Sequence, residues 1–426
     1  MSTIYALATP RAKAGLGIIR LSGPEAPAAA QRLAGPLPRP RQAGLRRLRS
    51  ADGTVLDEAL VLLFPEGASY TGEAVVELHC HGAPAVLDAV LAALAALPGL
   101  RPAEPGEFTR RALENGRMDL AQVEGLSDLL AAETEAQRRQ AWRVFDGAAG
   151  RAVDAWRADL VRALALLEAS IDFVEEDVPE TVWPEVRARV EKVCAEIARE
   201  VEGAKAAERL RDGFEVAIVG PPNAGKSTLL NYLAKREAAI TSAVPGTTRD
   251  VLELRMDLEG LPVTFLDTAG LRDGGDAVER VGIERARQRA EAADLRIILL
   301  PSRGATPSIP PKEDDLLLLA KLDEPSAEDG VSGRTGHGVD RMVARVVEVL
   351  SPRARTSAVF TRHRHRETLW AAVKGLMDVS GQLERVPGEI VAGELWRVIG
   401  TLDAITGRVD LEHVLDDIFH EFCIGK

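Results

Sequence analysis

The sequence predicts a multidomain protein of α+β and α/β class: an N-terminal α+β domain, an all-α helical domain, and a doubly wound α/β domain inserted into the helical one. Three observations predict it. Residues 1–118 mix short apolar runs with glycine and proline. Residues 119–212 are rich in Ala, Leu, Arg and Glu with few helix breakers, and that character returns over 351–426. Between them, 213–350 alternates apolar strand-like runs with helical periodicity, the sign of a parallel sheet. At 426 residues the chain also exceeds what one core organises.

In chain order, residues 17–21, 59–64 and 74–78 read as strands, with turn signals at Ser22-Gly23-Pro24 and Ala51-Asp52-Gly53. Residues 83–97 read as a helix closed by Pro98-Gly99. In the helical region Leu160, Leu164 and Leu167 fall at helical spacing, as do Val186, Val190, Val193 and Ile197. An amphipathic helix is expected over 409–419.

Composition excludes several classes. Hydrophobic residues make up 46% and charged residues 28%, the balance of a soluble globular protein. No apolar run reaches the roughly 18 residues that span a bilayer, and no secretory signal is visible, so a cytoplasmic enzyme without a membrane partner is expected. The three cysteines, Cys80, Cys194 and Cys423, form no CxxC pair, against a disulfide framework or zinc site. His79 and His81 would share one face of a strand and could offer a metal two nitrogens, but ordinary packing is the simpler reading. The net charge of −12 gives no average attraction for RNA. Local basic patches would be Arg39, Arg41, Arg46, Arg47 and Arg49, or Arg362-His363-Arg364-His365-Arg366; both read first as solvated surface.

The sharpest motif follows an apolar strand at 214–219: Gly220-Pro221-Pro222-Asn223-Ala224-Gly225-Lys226-Ser227, then a helix expected from Thr228. This is the phosphate-loop pattern GxxxxGK[ST] in its strand–loop–helix setting. Its glycines let backbone N–H groups face phosphates, Lys226 neutralises the β- and γ-phosphates, and Ser227 ligates Mg²⁺. A second strand ends in Asp267, followed by Thr268-Ala269-Gly270. The acid can hold the Mg²⁺ shell, and Gly270 can offer its N–H to the γ-phosphate. Between them, Pro245-Gly246-Thr247-Thr248 supplies a threonine that closes the metal's coordination only with GTP bound. These motifs resemble the translation-factor-related branch of Ras-like GTPases.

The base is read less conventionally. Leu316 to Leu319 leads into Ala320-Lys321-Leu322-Asp323, where GTPases usually carry NKxD. Asp323 can accept the guanine N1 and N2 hydrogens, the Lys321 stem can cover the ring, and Ser332-Gly333-Arg334 resembles the loop that touches the guanine carbonyl. Alanine at 320 removes one support, so weaker nucleotide affinity than the family norm is expected. The strand at 295–300 runs into Pro301-Ser302-Arg303 where an aspartate commonly follows, and 303–315 reads as an atypical loop. Leu271 stands where Ras carries its water-orienting glutamine, so water must be positioned from elsewhere; Glu279, Arg280, Glu284 and Arg285 are within the next segment. As the resemblance implies, the nucleotide contacts would be Asn223, Ala224, Gly225, Lys226, Ser227, Thr228, Ser242, Ala243, Val244, Pro245, Gly246, Thr247, Thr248, Asp267, Thr268, Ala269, Gly270, Lys321, Asp323 and Ser332.

Further motifs cover essentially the whole chain: residues 15–23, Tyr70-Thr71-Gly72-Glu73, Pro105-Gly106-Glu107-Phe108-Thr109-Arg110-Arg111, Asn115-Gly116-Arg117-Met118-Asp119-Leu120-Ala121-Gln122, Ile171-Asp172-Phe173 with Glu175-Glu176-Asp177, residues 278–285, and the terminal Cys423-Ile424-Gly425-Lys426. Together they resemble the MnmE/TrmE family of tRNA modification GTPases. The resemblance implies a homodimer formed through a folate-binding N-terminal domain. It implies a heterotetramer with a flavin-dependent partner of the MnmG/GidA type, FAD lying on the partner only. Together they would modify carbon 5 of the wobble uridine, position 34, of certain tRNAs. A one-carbon unit from methylene- or formyl-tetrahydrofolate would bridge to an added amine such as glycine. The implied folate contacts are Arg20, Glu77, Arg117 and Lys426, with arginine at 117 where lysine is commoner. Mg²⁺ would be held by Ser227 and Thr248, and K⁺ by Asn223, Ser242, Val244 and Thr247, as two G domains meet face to face. Glu279 would orient water, Arg272 would support the second switch, and Cys423 is the implied candidate thiol. Two other readings remain open: a GTP-regulated ribosome-assembly factor without RNA chemistry, and a folate-dependent one-carbon-transfer protein with a regulatory G domain. Folate binding and hypomodified tRNA on deletion separate the three.

Overall fold

A computed structural model describes residues 2–172, 182–236, 238–240, 253–267, 288–307, 309–324, 329–354 and 358–408, together with Phe419, Phe422 and Gly425. Contacts divide the chain into two units: Met1–Ser127 with Phe145–Ala155 and Leu402–Lys426, and Asp128–Val144 with Trp156–Thr401.

In the first unit, β1 (Thr3–Leu7), β2 (Gly17–Ser22), β3 (Gly44–Arg49), β4 (Val55–Phe64), β5 (Val75–Cys80) and β6 (Leu100–Pro102) form a sheet in the order β3-β4-β5-β2-β1-β6. All neighbours are antiparallel except β1 with β6. Helices α1 (Ala26–Ala34) and α2 (Pro84–Ala95) bury Ala29, Ala30, Leu33, Leu87, Val90 and Leu94 with Ile19, Leu21, Val76 and Leu78 of the strands. Strand alternation then turns Arg20 and Glu77 to the opposite face. Gly17 lets α2 approach, because a Cβ there would meet Leu87 Cδ2 at 2.6 Å. The fourth strand starts at Val55 rather than 59, since pairing with β3 supports Asp57 and Glu58 that an apolar pattern misses. Their carboxylates are taken by His81 and Arg47.

Helix α3 (Glu107–Glu114) precedes α4 (Leu120–Ala131), which opens on a reciprocal cap. Asp119 Oδ1 accepts from the Gln122 backbone N–H at 2.7 Å, and Gln122 Oε1 accepts from that of Asp119 at 3.0 Å. Asp119→Ala is expected to cost about 1 kcal/mol, read as a lower urea midpoint at unchanged slope; an unmoved midpoint would show the cap to be dispensable.

The second unit takes in α5 (Glu135–Phe145) and α6 (Ala148–Asp172) in part, then α7 (Val182–Asp212). Leu160, Leu164 and Leu167 are buried, as are Val186, Val190, Val193 and Ile197, the stripes that helical spacing requires. Its sheet is built from β7 (Phe214–Val219), β8 (Glu253–Leu258), β9 (Leu261–Asp267), β10 (Leu295–Leu300), β11 (Leu316–Ala320) and β12 (Gly330–Val331). The order is β12-β11-β10-β7-β9-β8, parallel throughout except the β8–β9 hairpin. Two helices, α8 (Lys226–Leu233) and α9 (Val339–Ala354), pack on it through Leu229, Leu230, Leu233, Met342, Val346 and Leu350. Helix α10 (His363–Gln382) lies along α7, and α11 (Gly388–Thr406) packs its Val398 against Gly375. Among the described residues no helix is long and apolar enough to cross a membrane.

The basic stretches are partly committed to internal partners. Arg362 pairs with Asp128 and Arg366 with Glu208, both at 2.6 Å, and His365 is buried edge-on to Phe360. On β3, Arg46 donates to Pro36 O and Arg49 to Gly53 O. The helix expected over 409–419 lies outside the described residues except for Phe419, and the motif Glu175-Glu176-Asp177 lies outside them altogether.

Candidate functional site

In open α/β sheets ligands bind beyond the carboxyl ends of the parallel strands. β7 ends there at Val219, and the chain enters the phosphate loop. Asn223 and Gly225 both take positive φ, 63° and 90°, which curls the backbone. Gly220 has no room for a side chain, since a Cβ would lie 2.9 Å from Leu299 O. The helix after the loop starts at Lys226, two residues before the expected Thr228, because left-handed Gly225 serves as its N-cap. Lys226 and Ser227 therefore sit in its first turn, at the positive end of the helix dipole.

Lys226 is buried, and its Nζ donates to Gly220 O at 2.8 Å and Pro221 O at 3.1 Å. Burial lowers its pKa, with the Asp267 charge opposing. Ser227 Oγ donates to Asp267 Oδ2 at 2.6 Å. Asp267, at the end of β9, is 5% exposed, which leaves its carboxylate at the floor of the loop rather than in solvent. Two hard oxygens in contact beneath an anion-binding loop fit a Mg²⁺ ion.

The residues expected to read the base meet at the ends of β11 and β12. Lys321 takes a φ of 58°, and its Cγ lies 3.9 Å from where a Cβ on Gly225 would be, so its stem runs beside the phosphate loop. Asp323 Oδ1 accepts from Ser332 Oγ at 2.6 Å, and Oδ2 accepts from Arg334 Nη2. These two hydrogen bonds, Ser332 first, hold the Asp323 pKa below its ordinary value, so it stays a carboxylate. Sequence reading placed Arg334 in the loop resembling the one that touches the guanine carbonyl, but gave its side chain no separate part.

A second cluster lies on the face of the first unit's sheet turned away from α1 and α2. Arg20 and Glu77 are register partners on β2 and β5, joined through Nε at 3.0 Å and Nη2 at 2.9 Å. The Arg20 guanidinium lies over the rings of Tyr70 and Phe108, 5.5 and 5.8 Å from their centroids, and its Nη1 donates to Gly425 O at 3.4 Å. Glu77 Oε2 also meets His79 Nε2 at 3.1 Å. Gly425 is required where it stands, at φ 104° with a would-be Cβ 2.3 Å from Leu7 O. Gly425 is thus seated beside Arg20. Arg117 is exposed, its stem against Gly72, where a Cβ would lie 3.3 Å from Arg117 Cγ. Tyr70 and Phe108 were visible only as parts of their motifs. The cluster sets a cation and a carboxylate side by side, with the guanidinium packed on the half-buried Tyr70 and the buried Phe108.

The motif around Tyr70 also scaffolds this cluster. Ser22 Oγ donates to Glu73 Oε2 at 2.6 Å, Arg111 Nη1 to Glu73 at 3.0 and 3.1 Å, and Arg111 Nη2 to Glu107 Oε1 at 2.9 Å. His81 is bound to Asp57 and His79 to Glu77, so separate carboxylates take the two histidines. Among the described residues there is no group of three or more potential metal-binding side chains. Burial pushes the Cys80 thiol up to about 12, which leaves it inert.

The structure therefore assembles Asn223, Ala224, Gly225, Lys226, Ser227 and Thr228 with Asp267, and Lys321 with Asp323 and Ser332. Ser242, Ala243, Val244, Pro245, Gly246, Thr247, Thr248, Thr268, Ala269, Gly270, Arg272, Glu279, Cys423 and Lys426 lie outside the described residues.

A family model described as the MnmE helical domain matches residues 120–423, and one described as the GTP-binding protein TrmE N-terminus matches residues 3–117. Two Cereibacter sphaeroides proteins named tRNA modification GTPase MnmE are 58% and 56% identical over 100% of this chain and 100% of their own. A Dinoroseobacter shibae protein of the same name is 53% identical with the same full coverage.

Proposed function

Because this chain belongs to the MnmE family of tRNA modification GTPases, we propose that it hydrolyses GTP to drive modification of carbon 5 of the wobble uridine in certain tRNAs. The observation that carries the hydrolytic part is the Ser227–Asp267 contact at 2.6 Å beneath the phosphate loop. Lys226 meets the β- and γ-phosphates, backbone N–H groups of the curled loop hold the remaining phosphate oxygens, and Asp323 selects guanine. Ser227 and Thr248 would hold Mg²⁺, with Asp267 ordering its shell. Asn223, Ser242, Val244 and Thr247 would hold K⁺, which supplies the positive charge that an arginine finger supplies elsewhere. Glu279 orients the attacking water that Leu271 cannot, and Arg272 steadies the second switch.

In the N-terminal domain, Arg20, Glu77, Arg117 and Lys426 would bind a tetrahydrofolate derivative, whose one-carbon unit becomes the bridge to the added amine. Arg20 and Glu77 would orient its polar edge, and Cys423 is the candidate thiol at the terminus. The working assembly is a cytoplasmic homodimer joined to a flavin-dependent partner that carries FAD.

The test is GTP hydrolysis by the purified chain in potassium against sodium at equal ionic strength, paired with mass analysis of tRNA nucleosides from a deletion strain. Strong potassium-specific stimulation and loss of the position-34 modification are expected. Equal rates in both salts would remove the Asn223 site from the mechanism, and fully modified tRNA would remove the tRNA role.

A further inference from the structure

Base recognition is where the chain departs from its own motif, since Ala320 ends β11 with a methyl group where an amide side chain is expected. The loop across from it is firmly fixed. Ser332 is 1% exposed, and its Oγ accepts from the backbone N–H groups of Arg334 and Thr335, both at 3.1 Å. Gly333 is pressed onto α8 so closely that a Cβ would lie 2.4 Å from the Leu229 nitrogen. The Arg334 backbone is thereby fixed, while its side chain is 74% exposed and reaches Asp323 Oδ2.

Guanine presents N2–H, N1–H and O6 side by side, two donors and then an acceptor. A base that gives both donors to Asp323 brings O6 alongside the guanidinium already bonded to that carboxylate. Lys321, directed toward Gly225, takes the ring face and leaves this edge open. We propose that Arg334 is a specificity-determining residue, donating to guanine O6 and N7 while Asp323 accepts from N1 and N2. Arginine to guanine O6 and N7 is a pairing known from nucleic-acid recognition, and the geometry is the same for a free nucleotide. Adenine sets an amino donor against the guanidinium and a lone pair against the carboxylate, so the same two side chains reject it. The arrangement compensates in part for the amide missing at position 320.

The inference rests on the guanine-nucleotide reading above, and the experiment separates the two. Calorimetric titration of the full chain with guanosine diphosphate and with 6-thioguanosine diphosphate, whose sulfur is a poor acceptor, is run on wild type, Arg334→Ala and Arg334→Lys. Melting curves confirm the fold, which an exposed side chain should not disturb. Arg334→Ala is expected to weaken guanosine diphosphate about tenfold, with Arg334→Lys between. Wild type should bind the thio analogue severalfold more weakly than the natural nucleotide, and Arg334→Ala should bind both alike. Arg334→Ala binding at wild-type strength, or keeping the penalty against sulfur, overturns the role of Arg334 alone. Wild type binding neither ligand overturns the nucleotide reading as well.

Discussion

Lys226→Met is expected to lower the rate of GTP hydrolysis at saturating nucleotide by roughly 10²–10³-fold, the usual effect of losing one preorganised charge from a phosphate or oxyanion site. The side chain is 7% exposed, and two loop carbonyls, Gly220 O and Pro221 O, aim its ammonium across the mouth of the loop. Methionine keeps the stem and removes only the charge, so the fold should persist. The sign of the pH effect follows from burial, which lowers the pKa of this lysine. Between the lowered folded value and the ordinary 10.5, the unfolded chain binds a proton that the folded chain does not. Stability without nucleotide therefore rises with pH through that window, and Lys226→Met should abolish the rise. Triphosphate favours the charged form, so nucleotide affinity falls on the alkaline side sooner than with an ordinary lysine. Single-turnover rates and paired unfolding curves test both. A variant that hydrolyses GTP near the wild-type rate would take the phosphate loop out of the reaction.

The largest stability effect is expected at Arg111. Its side chain is 6% exposed and lies between Glu73 and Glu107, which are 12% and 10% exposed. Removing Arg111 leaves Glu73 without its cation and Glu107 with Arg101 alone, both carboxylates still largely desolvated, so Arg111→Ala should cost about 3 kcal/mol. Burial alone would raise the Glu107 pKa, but hydrogen bonds from Arg101, the Glu104 backbone and Arg111 outweigh it and hold the carboxyl below its ordinary value. The stability from that shift is fully present above the unfolded-state value and is lost as pH falls through the folded one. In Arg111→Ala the Glu107 carboxylate loses one of those hydrogen bonds and protonates more readily, so the deficit should shrink in mild acid. Urea unfolding at neutral and mildly acidic pH measures this. A loss below about 1 kcal/mol would show the Glu73–Arg111–Glu107 cluster to be worth no more than a surface pair despite its burial.

The phosphate loop was legible because its chemistry is local. One short stretch supplies the strand, the glycines and the helix N-terminus, and the structure departs from expectation only in starting the helix at Lys226. The apolar stripes of α6 and α7 were legible for the same kind of reason, since helical spacing is written in consecutive residues. Strands β1, β3 and β8 were harder to see. β3 carries three arginines in six residues, and its strand character comes from pairing with β4, which no local pattern records.

By itself the sequence determined the fold class, the phosphate loop and, through motifs spread along the whole chain, the family. Those depend on residue types at fixed spacing, which short-range sterics and hydrogen bonding turn directly into local structure. Only the tertiary structure decided which distant side chains meet. It put Arg20 against Glu77, Tyr70, Phe108 and Gly425, ran Arg111 between two glutamates, and set Arg334 on Asp323. Those meetings are fixed by strand register, by glycines that permit close approach, and by the cost of burying a charge unpaired, terms that arise only when the chain closes on itself.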